Sequence, residues 1–496
     1  MKELYKILFI ALLFSGCDNF LSPAPQGKLT EEVFFSEEEG ALMGVNAIYS
    51  RLREWDQVGF SWFAICELPS DNSNTGSELS DGSVARLNTV NNFTYNAGVD
   101  ELNGWWTGNY NAIASCNVAL ASLNGLENEA LKVRCMAQAR FFRGFFYFNL
   151  VKAFGGVPLV MNVPQPGEYN KPRATADQVY DEIIKDLTYA AGHLPTRAQW
   201  GEKELGRVTK GTAQGLLAKV YLFRQNYQQA FNYADSVILD GEYDLHPNYR
   251  DLFNPNSLYS EEVMLADQFL WQDNRDNESQ FVKWQGVRGQ WGWGYLSPTE
   301  SLVDSYEKDD PRLPATVFFS GDSVQGKGVI NFAEGLDPRA NHKVIWPASY
   351  WNANDFTKMN AHLYFLRYAD VLLIYAEAAN ELGKTAEALD KLELVRERAR
   401  KSVAEGSGST GILPKITETD QGRLREIIWH ERRIELALEG HRFFDLIRAD
   451  KVVPGYALRE LQRDNPETHF SAALNSVFLI PQKQIDISQG VLQQNR

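Results

Sequence analysis

The sequence predicts a mainly α protein, built as a tetratricopeptide-like scaffold of helical pairs with irregular, aromatic-rich inserted loops. Three observations favour this fold class. Apolar residues recur at helical spacing in many segments, two of those segments share one residue pattern, and two intervening regions lack a sustained helical period. The chain has 496 residues, of which 44% are hydrophobic, so it can bury a sizeable core.

The helical spacing falls in three blocks, at about residues 30–55, 106–250 and 361–450. In each block the apolar residues recur every three or four positions, which is typical of helices that bury one face. The clearest segments are 137–154, 176–191, 211–223, 227–239, 368–382, 386–400 and 424–438.

Two helical stretches share a pattern of small and large residues, which predicts two similar helix pairs. Small residues let two helices approach closely, and large residues fill the groove between them. Two unrelated amphipathic hairpins would also carry Ala and Leu here, and that alternative stays open. The matching positions are Leu217, Ala218, Tyr221, Ala230, Ala234 and Val237, with Tyr375, Ala376, Ala379, Ala388, Leu392 and Val395.

Two regions between the helical blocks, at about residues 55–105 and 255–360, are predicted to be inserted loops. They are rich in Trp, Gly, Asn, Asp and Ser. Loops on a rigid scaffold are where ligand contacts concentrate. The tryptophans in or beside them are Trp55, Trp62, Trp105, Trp106, Trp271, Trp284, Trp291, Trp293, Trp346 and Trp351.

The start of the chain predicts a lipoprotein signal peptide over residues 1–16. Two lysines precede a short apolar run that ends in Ser15, Gly16 and Cys17, so cleavage would leave Cys17 for lipid attachment. Phe14 departs from the lipobox pattern, which usually has Leu at this position. A plain secretory signal is the alternative, because a Cys can fall near a cleavage site by chance. No later segment is long and apolar enough to span a bilayer.

Charge and metal motifs argue against several function classes. The formal net charge of −15 opposes nucleic-acid binding, which depends on clustered Lys and Arg. Residues 71–76 open like a calcium loop, but Gly82 stands where a bidentate Glu is needed. We therefore predict no nucleic-acid partner, no metal site and no cofactor, with calcium possible but unsupported.

Three cysteines follow Cys17, namely Cys66, Cys116 and Cys135. An odd count leaves at least one of them unpaired within the chain. Cys116 and Cys135 flank a turn at similar distances and could form a disulfide between antiparallel helices. A buried free thiol is the commoner state, and both alternatives stay open.

The segment 431–445 is the densest acidic and basic stretch of the chain. At helical spacing Glu431, Glu435 and Glu439 form a ladder of like charges, which needs Arg partners to be stable. We interpret it as a structural ion-pair network rather than a catalytic acid and base.

Several blocks of the sequence agree, in order, with one known family. The strongest are 366–373 with 375–378, then 431–448, then 479–482. The others are 18–21, the set Trp106, Tyr110, Ile113 and Asn117, then 137–143, 155–159, 173–187, 206–211 and 310–312. Over almost the whole mature chain the sequence resembles the SusD/RagB family of outer-membrane nutrient-binding lipoproteins from Bacteroidetes. The C-terminus departs from the pattern, because it ends where the family usually continues with Pro, Gly and an aromatic.

The resemblance implies a single SusD-like domain over residues 17–496, with a carbohydrate site in its inserted loops. It implies a non-enzymatic, lipid-anchored protein of the outer membrane. Such a protein faces the cell surface and hands oligosaccharides to a SusC-like TonB-dependent transporter. Ligand residues of the family lie in its variable loops, so no ligand residue is carried over by motif.

A glycan site should combine aromatic rings, on which sugar faces stack, with amide, carboxylate and guanidinium groups for the hydroxyls. The three tryptophans of segment 284–293 lie among glycines, which predicts rings that stand at a surface. Packing in the core is the alternative for each ring, and binding of peptides or another nutrient, or a helical glycosidase, are the alternative functions. The candidate ligand residues are Asp71, Asn72, Asn74, Arg86, Trp284, Trp291, Trp293, Trp346, Tyr350 and Trp351.

Overall fold

Helices predominate in the computed structural model, which describes residues 37–269, 279–351, 359, 361–402 and 411–495. The mainly α class predicted from the sequence is confirmed. The longer helices are α1 (Glu38–Arg51), α2 (Gly82–Asn91), α3 (Asp100–Ser122), α4 (Glu129–Phe154), α5 (Ala176–His193), α6 (Lys210–Phe223), α7 (Tyr227–Asp240), α8 (Tyr368–Glu381), α9 (Thr385–Lys401), α10 (Gln421–Glu435), α11 (Arg442–Asp450) and α12 (Tyr456–Asp464).

Shorter helical turns connect these helices. The α-helical turns are Trp55–Val58, Phe60–Trp62, Arg197–Trp200, Tyr249–Leu252, Phe281–Gln285, Glu300–Asp304, Arg312–Thr316, Ala472–Asn475 and Gln482–Ile487. The 3-10 turns are Leu123–Gly125, Glu202–Glu204, Pro255–Ser257, His342–Val344 and Ala348–Tyr350, and Phe63–Glu67 is a π-helix.

Eight short strands form four antiparallel pairs in the described residues, and each pair joins two parts of the insertions or an insertion to the scaffold. The pairs are β1–β3, β2–β8, β4–β7 and β5–β6. The strands are β1 (Ser73–Gly76), β2 (Val263–Ala266), β3 (Tyr295–Pro298), β4 (Val317–Phe319), β5 (Ser323–Val324), β6 (Gly328–Val329), β7 (Arg339–Asn341) and β8 (Tyr364–Arg367).

The scaffold is a run of helices in which α3 to α9 each pack on the next in chain order. The two predicted helix pairs are α6 with α7 and α8 with α9, and both are confirmed. The small residues of the shared pattern are fully buried between the helices, as close helix packing requires. Gly383 turns the chain after α8 with a φ of 75°, a left-handed conformation that suits glycine.

The first insertion is more helical than the irregular loop predicted for residues 55–105. It contains α2 and the first turn of α3, and Asp81 caps α2 by accepting a hydrogen bond from the Ser83 amide. Val84, Leu87 and Val90 bury one face of α2. These runs are too short to give a sustained helical period, so the sequence pattern missed them.

The acidic ladder around α10 lies in a buried ion-pair network, which confirms the expected Arg partners. The Glu435 carboxylate is 2.7 Å from an Arg367 guanidinium nitrogen, 3.2 Å from Arg312, and also pairs with Arg398. Glu431 pairs with Arg312 and with Arg396. Each buried charge therefore has a partner of opposite sign, which offsets the cost of removing it from water.

The three described cysteines are buried free thiols, so no disulfide joins Cys116 to Cys135. Burial raises the pKa of the Cys66 thiol to about 12, which keeps it protonated and unreactive. Cys17 lies outside the described residues, as does Trp271. None of the helices in the described ranges is long and apolar enough to cross a membrane.

Candidate functional site

The two insertions meet where β1 pairs with β3, Ser73 opposite Pro298 and Gly76 opposite Tyr295. The backbones of the two insertions approach each other closely at Gly76 and Gly294. A Cβ on Gly76 would lie 2.2 Å from the Gly294 carbonyl oxygen, and Gly76 has a φ of 70°. Glycine is therefore needed here both for backbone conformation and for space.

Replacing Gly76 with Ala is expected to lower the free energy of unfolding by about 1–3 kcal/mol, because the new methyl group meets backbone and the left-handed conformation becomes strained. Chemical denaturation measures the loss. Gly82→Ala is the matched control, since nothing lies within 4 Å of its added Cβ. Equal stability of the Gly76→Ala protein and wild type would show that the crossing relaxes without cost.

An aromatic surface lies beside this crossing, and we name its three rings, Trp55, Phe60 and Trp293, the aromatic face. Trp55 is 47% exposed, and the other two are partly exposed. The Phe60 ring centroid is 5.5 Å from that of Trp55 and 6.5 Å from that of Trp293. The three rings thus form one patch drawn from both insertions.

Trp284 supports the aromatic face from below. It is only 3% exposed, and its ring contacts Trp55 edge-on at 4.9 Å between centroids, Phe63 at 6.0 Å and Phe281 at 5.7 Å. The expectation that the Trp284 ring stands at a surface is therefore wrong. It belongs to the short helix Phe281–Gln285, which ends just before the glycines and turns this ring inward.

The loop that follows this helix folds back tightly and places Trp293 beside it. The Trp293 amide donates a hydrogen bond to the Lys283 carbonyl at 2.7 Å. A Cβ on Gly292 would lie 2.3 Å from the Gly286 carbonyl carbon, so only glycine permits this approach. The glycines therefore position Trp293 through close backbone contact.

Polar groups border Trp293. Arg288 donates to the Ser77 hydroxyl at 3.0 Å and to the Trp293 carbonyl at 3.4 Å, and it pairs with Asp81 at 3.4 Å. The Lys283 ammonium lies 5.0 Å from the Trp293 ring centroid, within the range of a cation–π contact. Aromatic rings beside guanidinium, ammonium, carboxylate and hydroxyl groups are the mixture that a sugar ring needs.

Two of the predicted polar ligand residues are instead structural. Asp71 is fully buried, and both its oxygens accept hydrogen bonds from Arg442, at 2.7 and 2.8 Å. Burial alone would raise the pKa of Asp71, but the charges of Arg433 and Arg442 hold it well below its usual value. Asn72 is buried as well and accepts from Arg433 at 2.9 Å. Neither side chain is accessible to a ligand.

The other two predicted polar residues already have partners. Arg86 forms a bidentate pair with Glu101, with nitrogen–oxygen distances of 2.7 to 3.1 Å. Asn74 donates to Asp337 at 3.3 Å and remains partly exposed. Both lie in the first insertion, but their polar groups are used to hold segments of the protein together.

The remaining predicted aromatics form a second cluster that serves packing. Trp291, Trp346 and Trp351 are 6–7% exposed, and Trp291 contacts Trp351 edge-on at 5.6 Å between centroids. Arg250 covers the Trp346 ring at 3.7 Å. Tyr350 is partly exposed, and its hydroxyl accepts from an Asn side chain at 2.9 Å. The expected surface position is therefore wrong for Trp291. Trp346 and Trp351 are buried as well, so neither offers an open ring face to a ligand.

Sequence reasoning did not select Trp55, Phe60, Lys283 or Arg288 as ligand residues. For Trp55 a signal exists, because this large ring lies between the charged residues Glu54 and Asp56, where burial is unfavourable. For Lys283 and Arg288 composition offers no signal, since their relevance comes from their contacts with Trp293.

The segment that resembles the start of a calcium loop folds differently. Residues 73–76 form β1, and the Asp71 carboxylate is already neutralised by two guanidinium groups. Within the described part of the chain, no group of three His, Cys, Asp or Glu side chains is placed to hold a metal ion.

Comparisons with known proteins identify the family. The SusD family matches residues 353–496, and a family described as starch-binding and associating with the outer membrane matches residues 65–222. A SusD-like protein of Formosa agariphila is 30% identical over 475 residues, which cover 90% of this chain and 91% of that protein. A SusD-like protein of Bacteroides ovatus is 27% identical, over 91% of this chain and 83% of that protein.

Solved structures share the fold over nearly the full length. A laminarin-binding SusD-like protein is 27% identical and superposes with a TM-score of 0.76, covering 93% of this chain and 99% of its own. A SusD homologue from Bacteroides thetaiotaomicron is 23% identical and superposes with a TM-score of 0.79, covering 96% of this chain and 99% of its own. With the resemblance predicted from the sequence thus confirmed, the chain belongs to the SusD family.

Proposed function

We propose that this protein is a glycan-binding lipoprotein of the outer membrane, which captures oligosaccharides on the aromatic face and delivers them to a SusC-like TonB-dependent transporter. The observation that carries the proposal is the exposed ring of Trp55, which is connected through Phe60 to Trp293. The polar groups of Arg288, Asp81 and Lys283 border Trp293. The description of one matching family as starch-binding, and of one relative as laminarin-binding, supports the same ligand class.

The packing beneath the aromatic face suits a binding role. Trp284 holds Trp55 and Phe60 from below, so the rings lose little freedom when a ligand stacks on them. A preformed surface loses less entropy on binding than a flexible one. An exposed aromatic patch on a rigid base is typical of recognition.

A glycan-array screen of the protein, followed by calorimetric titration of the glycans it retains, tests the ligand class. We expect binding of neutral oligosaccharides and none of unrelated peptides. Retention of peptides with no retained glycan would contradict the proposal and favour a peptide-binding member of the same fold.

We propose that the protein is not an enzyme. The buried glutamates of α10 are each held by guanidinium groups, so none is free to act as an acid or base. Incubation of each retained glycan with the protein, followed by chromatography of the products, is expected to return the intact glycan. Shortened products that persist after repurification would contradict this.

The delivery step is tested in the native membrane. We expect a tagged chain, extracted in mild detergent, to co-purify with a TonB-dependent barrel protein. A matched tagged lipoprotein of another fold is the control for non-specific capture. Purification of the tagged chain without any such barrel would contradict the proposed partnership.

We expect Cys17 to carry the lipid, so that Cys17→Ala releases the protein from the membrane. The basis is the charged start, short apolar run and Ser-Gly-Cys ending of the predicted signal peptide. Metabolic labelling with a fatty-acid analogue measures it, and Cys66→Ala is the control because Cys66 is buried. Equal labelling of the Cys17→Ala protein and wild type would contradict the assignment.

A further inference from the structure

A polar cavity lies apart from the aromatic face, between α4, α6 and the turn that precedes α11. Its volume is about 30 Å³. Rings of Trp62, Trp105 and Phe145 form much of its wall, and Lys152, Lys219 and His441 supply its cationic and imidazole groups. The one carboxylate in its lining is already held by Arg367 and a second lysine.

The hydrogen bonds of His441 define which of its ring nitrogens donates. The Lys219 ammonium lies 2.8 Å from the Asp370 carboxylate and 3.2 Å from His441 Nδ1. A lysine ammonium only donates, so Nδ1 accepts, and the neutral ring must carry its proton on Nε2. Nε2 is buried and has no hydrogen-bond partner among the described residues. This N–H therefore needs an acceptor.

Lys152 supplies a second donor without an acceptor. Its ammonium lies 4.7 Å from the ring centroids of both Phe148 and Phe444, and no described carboxylate or carbonyl pairs with it. Burial, to which the charge of Lys219 adds, lowers the pKa of Lys152 to about 8, so the group is still charged at neutral pH. The cation–π contacts with the two rings offset only part of the cost of removing this charge from water.

The neighbouring charges do not neutralise Lys152. Asp370 is shared by Lys219 and Arg432, and Asp445 is shared by Arg432 and Arg448. Arg448 takes one further carboxylate, that of a glutamate in α8. Within this set four cations face three carboxylates, and Lys152 is the cation that pairs with none of them.

We propose that this cavity binds one small monovalent anion, a halide or a free carboxylate, between the Lys152 ammonium and His441 Nε2–H. Its aromatic walls leave little room for a larger group, and the two donors provide both the charge and a directed hydrogen bond. The anion would stabilise the junction of scaffold and first insertion, because Trp62 belongs to the insertion and Lys152 to α4.

Bromide is the probe, because its anomalous scattering identifies it. In crystals of the protein soaked in sodium bromide, we expect an anomalous peak within hydrogen-bond distance of Lys152 Nζ and His441 Nε2. In solution, bromide at constant ionic strength, balanced with gluconate, should raise Tm by about 1–3 °C in a saturable way. Repeating the Tm titration with acetate in place of bromide shows whether the cavity prefers a carboxylate or a halide.

Lys152→Met removes the charge and keeps an apolar stem between the two phenyl rings. We expect it to abolish the bromide-dependent rise in Tm. Lys185→Met is the matched control, because Lys185 is a surface residue paired with Glu182, and it should leave the rise unchanged. Absence of a bromide peak in the wild-type cavity, or an equal rise in Lys152→Met, would overturn the proposal, and the crystal result stands even if that variant does not fold.

Discussion

Replacing Glu435 with Gln is expected to lower the free energy of unfolding by about 3–5 kcal/mol. The carboxylate is fully buried and touches the guanidinium groups of Arg312, Arg367 and Arg398. The amide that replaces it is neutral, so these buried cations lose a counter-charge. The site is closed to solvent, and water therefore cannot solvate them in its place. Chemical denaturation monitored by circular dichroism measures the change.

Glu397→Gln is the matched control for this prediction. Glu397 lies at the surface of α9, where it pairs with Lys401, and such surface pairs contribute about 0–1 kcal/mol. We expect glycan affinity per folded molecule to be unchanged in the Glu435→Gln protein. Lost glycan binding with an unchanged melting temperature would mean that the network is itself a binding site.

Trp55→Ala and Trp293→Ala are each expected to weaken glycan binding by about 1–3 kcal/mol, a fall in affinity of about five- to 150-fold. Both rings have exposed surface on the aromatic face, and each would lose its apolar contact with a sugar. Stability should change little in Trp55→Ala, because nearly half of that side chain is in water. Calorimetric titration with a glycan retained on the array measures both variants.

Two further variants separate binding from folding. Tyr169→Ala removes a ring that is 68% exposed but lies outside the aromatic face, and it should bind like wild type. Trp284→Ala removes the buried support and should cost about 3–5 kcal/mol of stability. Wild-type affinity in both Trp55→Ala and Trp293→Ala would show that the aromatic face is not the site.

The scaffold could be predicted from sequence because its signals are local. The alanines of the two helix pairs recur within a few turns, and Glu431, Glu435 and Glu439 stand four residues apart, so a shared face is visible in the sequence itself. The need for Arg partners followed from charge repulsion alone. Which arginines supply them depends on packing, and the sequence pattern did not identify Arg312 or Arg367.

The site residues could be predicted only in part, because composition does not show which way a ring faces. Trp284 and Trp293 lie in the same glycine-rich segment, yet one is buried in a helical turn and the other is partly exposed. Likewise Asp71 looked like a ligand residue in a polar loop. Its true partner, Arg442, is 371 residues away, and no local pattern reveals such a contact.

The contact between Asp71 and Arg442 has a consequence for the order in which the protein folds. Contacts between distant residues close large loops, and they form late because the loop entropy is lost before the contact is made. The first insertion is fastened by a residue in α11, near the end of the chain. A growing or truncated chain that lacks α11 would leave the Asp71 carboxylate without its bidentate partner. The first insertion therefore reaches its final packing only after the chain has been made as far as α11.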